Sequence, residues 1–151
     1  MKKPHGKSLR RGRVSEPGRI YSLTSVVKGR NPLLKDFKLA RLVVEQLRMA
    51  EQEQAARSLA WVVMPDHFHW LVQLEKDSLA PLMQRVKSRS SSAINKVSGR
   101  VGPLWQAGFH DRAIRHEEDL EAIARYIVMN PVRSGLVTRV GDYPHWDAVW
   151  L

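Results

Sequence analysis

Hydrophobic positions recur along this chain with two periods, that of a strand and that of a helix, and their succession lays out the fold. Residues 19–28, Arg-Ile-Tyr-Ser-Leu-Thr-Ser-Val-Val-Lys, alternate and are rich in β-branched side chains, which predicts a first strand. Gly29-Arg30-Asn31-Pro32 breaks it. From Asp36 to about residue 57, Phe37, Leu39, Ala40, Leu42, Val43, Leu47 and Ala50 recur at three- and four-residue steps and predict an amphipathic helix. Residues 61–64 and 68–74, rich in Val, Leu and Trp, predict a hairpin turning at Pro65-Asp66. Ser78 is the expected N-cap of a second helix whose apolar side is Leu79, Leu82, Met83, Val86, Ala93, Ile94 and Val97. It ends at Gly99-Arg100-Val101-Gly102-Pro103. Residues 104–115 predict a fourth strand, with Gly108 as a bulge or a point of close backbone approach. Glu117, Glu118 and Asp119 open a third helix over residues 120–130, which Pro131 disfavours continuing.

The order strand, helix, strand, strand, helix, strand is the split β-α-β pattern of an α+β, ferredoxin-like fold: an antiparallel sheet with helices on one face. The third helix is then free to pack near the hairpin on the open face. Residues 1–18 carry Lys2, Lys3, Lys7, Arg10, Arg11 and Arg13 against a single acid, Glu16, and predict a flexible basic arm. Residues 19–135 form one folded domain. Residues 136–151 form a tail that docks on the core through Trp146, Val149 and Trp150.

Charge and composition narrow the function. Across 151 residues, 25 Lys and Arg outnumber 15 Asp and Glu, for a formal net charge of +10. That excess favours a polyanionic partner, most simply nucleic acid. The absence of cysteine excludes disulfides and thiolate metal sites. No apolar run reaches membrane-spanning length, so a cytoplasmic protein with no membrane partner is expected.

The candidate chemistry starts in the hairpin. In a strand from residue 68, Phe68, Trp70, Val72 and Leu74 share the buried face, and His67 and His69 share the other. Two imidazoles on one face can hold one metal ion; as a pair alone they are equally two ordinary strand histidines. Tyr126 and Asn130 lie one helical turn apart, beside the stripe of Leu120, Ile123, Ala124 and Ile127. A tyrosine there is a nucleophile or a half-buried core residue. An asparagine there is an oxygen donor to a hard metal or simply the last residue before a proline. Arg85, Lys87 and Arg89 stand among serines on the second helix, a phosphate-contacting or merely solvated face.

In combination these motifs resemble a known family. Met64-Pro65-Asp66-His67-Phe68-His69, followed by Trp70-Leu71-Val72, resembles the HUH motif (His-hydrophobic-His) of single-tyrosine transposases. Leu104-Trp105-Gln106-x-Gly108-Phe109-x-Asp111 resembles the REP-associated branch, whose substrates are repeated extragenic palindromes. So do Tyr126-Ile127-x-x-Asn130-Pro131-Val132-Arg133-x-Gly135-Leu136-Val137 and Asp142-Tyr143-Pro144 with Trp146. One departure is Trp146-Asp147-Ala148, where the branch often has Trp-Ser-Ser.

The resemblance implies a metal-dependent endonuclease and strand transferase acting on single-stranded DNA. His67, His69 and Asn130 would hold Mg²⁺ or Mn²⁺, and Tyr126 would attack phosphorus to leave a 5′-phosphotyrosine. The implied substrates are hairpins of REP-like repeats. Arg10, Arg11, Arg13, Arg85, Lys87, Arg89, Arg112 and Arg133 are the expected DNA contacts, and Asp111 stands outside the catalytic set. The short link from the fourth strand to the third helix favours a monomer over a homodimer. Two alternatives remain open at this level: a non-catalytic nucleic-acid-binding module or regulator of the same fold, and an RNA-binding ferredoxin-like domain. The latter expects stacking aromatics where this chain has histidines.

Overall fold

The computed structural model describes residues 18–76, 78–115 and 118–150. The basic arm, with Arg10, Arg11 and Arg13, lies outside the described residues. Strand β1 (Ile20–Val26) alternates as its sequence dictates, with Tyr21 and Leu23 buried and Ser22 and Thr24 half-buried on the opposite face. Helix α1 (Phe37–Gln52) starts at Asp36, whose carboxylate accepts the Leu39 N–H at 3.2 Å. It stops at Gln52 rather than near residue 57. Glu51-Gln52-Glu53-Gln54 are good helix formers, but Gln54 takes a left-handed φ of 60°. Ala56 is buried and pairs with Leu74 to begin β2 (Ala56–Met64).

Strand β3 (His67–Leu74) runs antiparallel to β2 with Met64 opposite His67, so the turn is Pro65-Asp66 as expected. Helix α2 (Leu79–Ser98) follows Ser78, which occupies the N-cap position without a side-chain bond to the backbone. It closes at Gly99 in the left-handed conformation, φ 76°. The fourth strand is shorter than the pattern suggests: β4 is His110–Ala113. Trp105 makes only an isolated bridge to Val27, and Gly108 turns at φ 76° before pairing resumes. Lys87 Nζ holds the loop between them, donating to the Gln106 and Gly108 carbonyls at 2.9 and 2.6 Å.

Helix α3 (Leu120–Val128) is capped by Asp119, whose carboxylate accepts the Ala122 N–H at 3.1 Å. It ends before residue 130. The chain then makes one further turn, α4 (Asn130–Arg133), with Pro131 in the first turn, where a missing N–H leaves no bond unmade. In the tail, β5 (Trp146–Ala148) pairs antiparallel with β2, whereas Val149 and Trp150, expected to dock with Trp146, are exposed.

The sheet order is β4-β1-β3-β2-β5, and every pair is antiparallel. The first four strands have the split β-α-β connectivity, and β5 extends the sheet beyond it. Helices α1 and α2 cover one face, where Val43, Leu47, Leu82 and Met83 pack on Leu23, Phe68 and Trp70. On the other face Ala124, Ile127 and Val128 of α3 pack over Leu59, Val62 and Leu71. Trp70 is fully buried, and its N–H donates to Ser58 Oγ at 2.8 Å. Among the described residues no helix is long and apolar enough to cross a membrane.

One tail residue makes folding sensitive to acid. His145 is 4% exposed, between the rings of Phe37 and Tyr143. Burial, and then the Arg41 guanidinium beside it, push its pKa down from 6.5 to about 4. Between those values the unfolded chain takes up a proton that the folded chain refuses, so stability falls as pH drops. The expected loss is on the order of 2 kcal/mol across that window. Melting temperature against pH should therefore decline below about 6.5, and His145→Gln should flatten the decline. An unchanged profile in the variant would contradict the assignment to His145.

Candidate active site

Strand β3 builds the first half of the site. Its pleat buries Phe68 and Trp70 in the core and sets His67 and His69 side by side on the opposite face, ring centroids 4.9 Å apart. Each ring is oriented through Nδ1. His67 Nδ1 lies 2.7 Å from Asp66 Oδ1, and His69 Nδ1 lies 2.7 Å from Thr24 Oγ1. Asp66 is itself held by Arg30 Nη1 at 3.1 Å. Burial alone would raise the Asp66 carboxyl, but the His67 and Arg30 hydrogen bonds and charges outweigh it and hold it below the usual carboxylate range. An ionised carboxylate accepts, so His67 Nδ1 donates to Asp66. Burial, followed by the charges of His67 and Arg133, pushes His69 down to about 4, so it is neutral at pH 7.

A neutral imidazole, with its far nitrogen fixed by a carboxylate or hydroxyl, is the form that binds metals. Asp66→Ala should therefore weaken Mn²⁺ affinity about 10- to 100-fold. Titration calorimetry on the metal-free protein measures this, and an unchanged affinity would remove Asp66 from the site.

Helices α3 and α4 supply the second half. Tyr126 is 67% exposed, near the end of a helix whose opposite stripe is buried. It lines a cleft of about 430 Å³ against the sheet together with Ser22, Thr24, His69, Arg112 and Asn130. The break at Met129 makes Asn130 the first residue of α4. Arg112 Nη1 reaches Glu118 at 2.8 Å. Arg133 Nη1 donates to the Tyr126 carbonyl at 2.6 Å, and its guanidinium carbon lies 3.7 Å from the ring centroid.

Among the described residues no group of three or more His, Cys, Asp or Glu side chains has metal-binding spacing. The Asn130 side chain lines the same cleft as His69.

The other predicted contacts fall elsewhere. Arg85 and Arg89 reach Glu53, beyond the end of α1, at 3.6 and 3.0 Å, and Lys87 holds the Gln106–Gly108 loop. All three stand on α2, across the sheet from Tyr126. Asp111 pairs with Leu23, on the core side and away from the histidines. Sequence reasoning missed Thr24, Asp66 and Arg30. The available signals were an acid directly before the first histidine and a hydroxyl on the polar face of β1.

The chain matches the family described as transposase IS200 like over residues 18–130, and it belongs to that family. A REP-associated tyrosine transposase of Escherichia coli (strain K12) is 32% identical over 87 residues, covering 56% of this chain and 50% of that relative. The match thus spans only half the length of that relative. A Haemophilus influenzae relative, provisionally given the same name, is 27% identical over 144 residues, covering 85% of this chain and 78% of its own. The solved structure of a REP-associated tyrosine transposase bound to a REP hairpin shares the fold. Its TM-score is 0.74 at 24% identity, covering 97% of this chain and 82% of that one.

Proposed function

We propose that this protein is a divalent-metal-dependent endonuclease and strand transferase for single-stranded DNA, acting at hairpins of REP-like repeats through a 5′-phosphotyrosine. The observation that carries this reading is one cleft, within one chain, that brings an exposed tyrosine together with His69 and Asn130. The relatives' names and the hairpin bound in the related structure support the substrate class.

His67, His69 and the Asn130 amide oxygen would hold a hard or borderline divalent ion such as Mg²⁺ or Mn²⁺, imidazole and amide oxygen being donors such ions accept. When bound, such an ion supplies Lewis acidity and a template for the phosphate. Tyr126 Oη forms a bond to phosphorus as the bond from phosphorus to the 3′-oxygen breaks. The phenol proton passes to water and the departing 3′-oxygen takes one from water. The phosphodiester is conserved in the tyrosine ester, so a second 3′-hydroxyl can reverse the step and join strands.

Arg112, which lines the cleft, and Arg133, stacked on Tyr126, are assigned as phosphate contacts. The arm cations Arg10, Arg11 and Arg13 are assigned to the hairpin stem or the bases beside it. Arg85, Lys87 and Arg89 have partners within the chain and face the other side of the sheet. That a single chain supplies tyrosine, histidine and asparagine favours a monomer over a homodimer.

The test is cleavage of labelled hairpin DNA from the host's own palindromic repeats, with Mn²⁺, with Mg²⁺ and with EDTA. Cleavage that needs the metal, frees a 3′-hydroxyl and leaves the protein joined to the 5′ end of the downstream fragment is expected. Tight binding without cleavage under any metal would favour the non-catalytic DNA-binding module.

A further inference from the structure

The arginines flanking Arg133 in sequence, Arg112, Arg115, Arg125 and Arg139, each face a carboxylate. No carboxylate pairs with Arg133 among the described residues. Its guanidinium lies over the Tyr126 ring instead, 3.7 Å from the centroid, with Nη1 on the Tyr126 carbonyl at 2.6 Å. The backbone makes this possible. Seven residues apart on one straight helix, the two side chains would stand about 10 Å apart along the axis. The break at Met129, followed by the single turn of α4, brings Arg133 back onto the tyrosine.

A guanidinium has five N–H donors, of which one is used here. The others, with a full positive charge and no carboxylate among the described residues, stand beside the attacking oxygen's ring. That is an arrangement for an incoming anion, and the fork geometry matches two phosphate oxygens.

We infer that Arg133 is a catalytic residue: it hydrogen-bonds the non-bridging oxygens of the scissile phosphate while its plane holds Tyr126 in line with phosphorus. This rests on the nuclease reading. As the bond from Tyr126 Oη to phosphorus forms and the bond to the 3′-oxygen breaks, negative charge is shared among the phosphate oxygens. A fixed cation at that point is worth most in the transition state. A general DNA contact would instead act on affinity alone.

The experiment uses the full chain, saturating labelled hairpin DNA and Mn²⁺. It reads the single-turnover rate of covalent adduct formation, with hairpin affinity measured separately in EDTA. Arg133→Ala should slow adduct formation about 100-fold while changing affinity only a few-fold. Arg133→Lys, which keeps the charge but not the planar fork, should recover only part of the rate. Low-millimolar guanidinium ion should partly restore Arg133→Ala and leave wild type unchanged, a response that a prop for the fold would not give. Arg125→Ala removes a cation of α3 that pairs with Glu121 and controls for net charge.

An Arg133→Ala rate equal to wild type at saturation, or full recovery in Arg133→Lys with no guanidinium rescue, would overturn the assignment alone. A wild type that binds the hairpin yet forms no adduct would overturn the nuclease reading and this assignment together.

Discussion

Tyr126→Phe is expected to abolish covalent attachment to DNA while leaving the fold, hairpin affinity and metal affinity in place. The substitution removes one exposed oxygen, so stability should stay within about 0.5 kcal/mol of wild type. The ring remains for Arg133 to stack on. Loss of an essential nucleophile typically costs on the order of 10⁶ in rate, about 8 kcal/mol, which puts the adduct below detection. The chain has three tyrosines, and the other two are poor substitutes. Tyr21 is 5% exposed in the helix-covered core. Tyr143 donates its hydroxyl to the Val63 carbonyl, and burial pushes its pKa up to about 12. An adduct that survives Tyr126→Phe would mean that the nucleophile is elsewhere. Lost hairpin affinity in the variant would mean that the hydroxyl binds rather than reacts.

The second large effect is expected at the histidines. His69→Ala should cost at least about 10³-fold in adduct formation at physiological Mg²⁺, with a matching loss of Mn²⁺ affinity in the absence of DNA. His69 is neutral at pH 7, oriented by Thr24 and in the same cleft as Tyr126, so its removal takes away a neutral imidazole rather than a charge. His67→Ala should behave alike and leave Asp66 paired with Arg30 alone. The half-buried positions of both rings limit the effect on folding. Retained metal affinity in both single variants would mean that the ring pair is structural. Retained adduct formation in EDTA would mean that the chemistry needs no metal.

The parts of this site that could be read from the sequence are those fixed by period and by short turns. Alternation in residues 68–74 placed the histidines opposite Phe68 and Trp70, and the hairpin register bears that out. The one-turn spacing of Tyr126 and Asn130 survived even though the helix breaks at Met129, because both still line the same cleft. What escaped reading depends on partners distant in the chain. Arg85, Lys87 and Arg89 look like a free cationic face until Glu53 and the Gln106–Gly108 loop fold against them. Thr24 becomes part of the site only because β1 pairs with β3 in a register that sets it opposite His69. The strand expected over residues 104–115 broke because Gly108 needs a positive φ and because Trp105 turns its N–H to Ser90 Oγ at 3.0 Å. The second strand pairing of β2, with three residues of the tail, is too short to carry a periodic signal.

The most direct measurement is peptide mapping of the covalent adduct by mass spectrometry after incubation with hairpin DNA and Mn²⁺. The account predicts a single modified peptide containing Tyr126, bearing a nucleotide joined through its 5′-phosphate. A nucleotide on Tyr21 or Tyr143, linkage through a 3′-phosphate, or cleaved DNA with no modified peptide would contradict it.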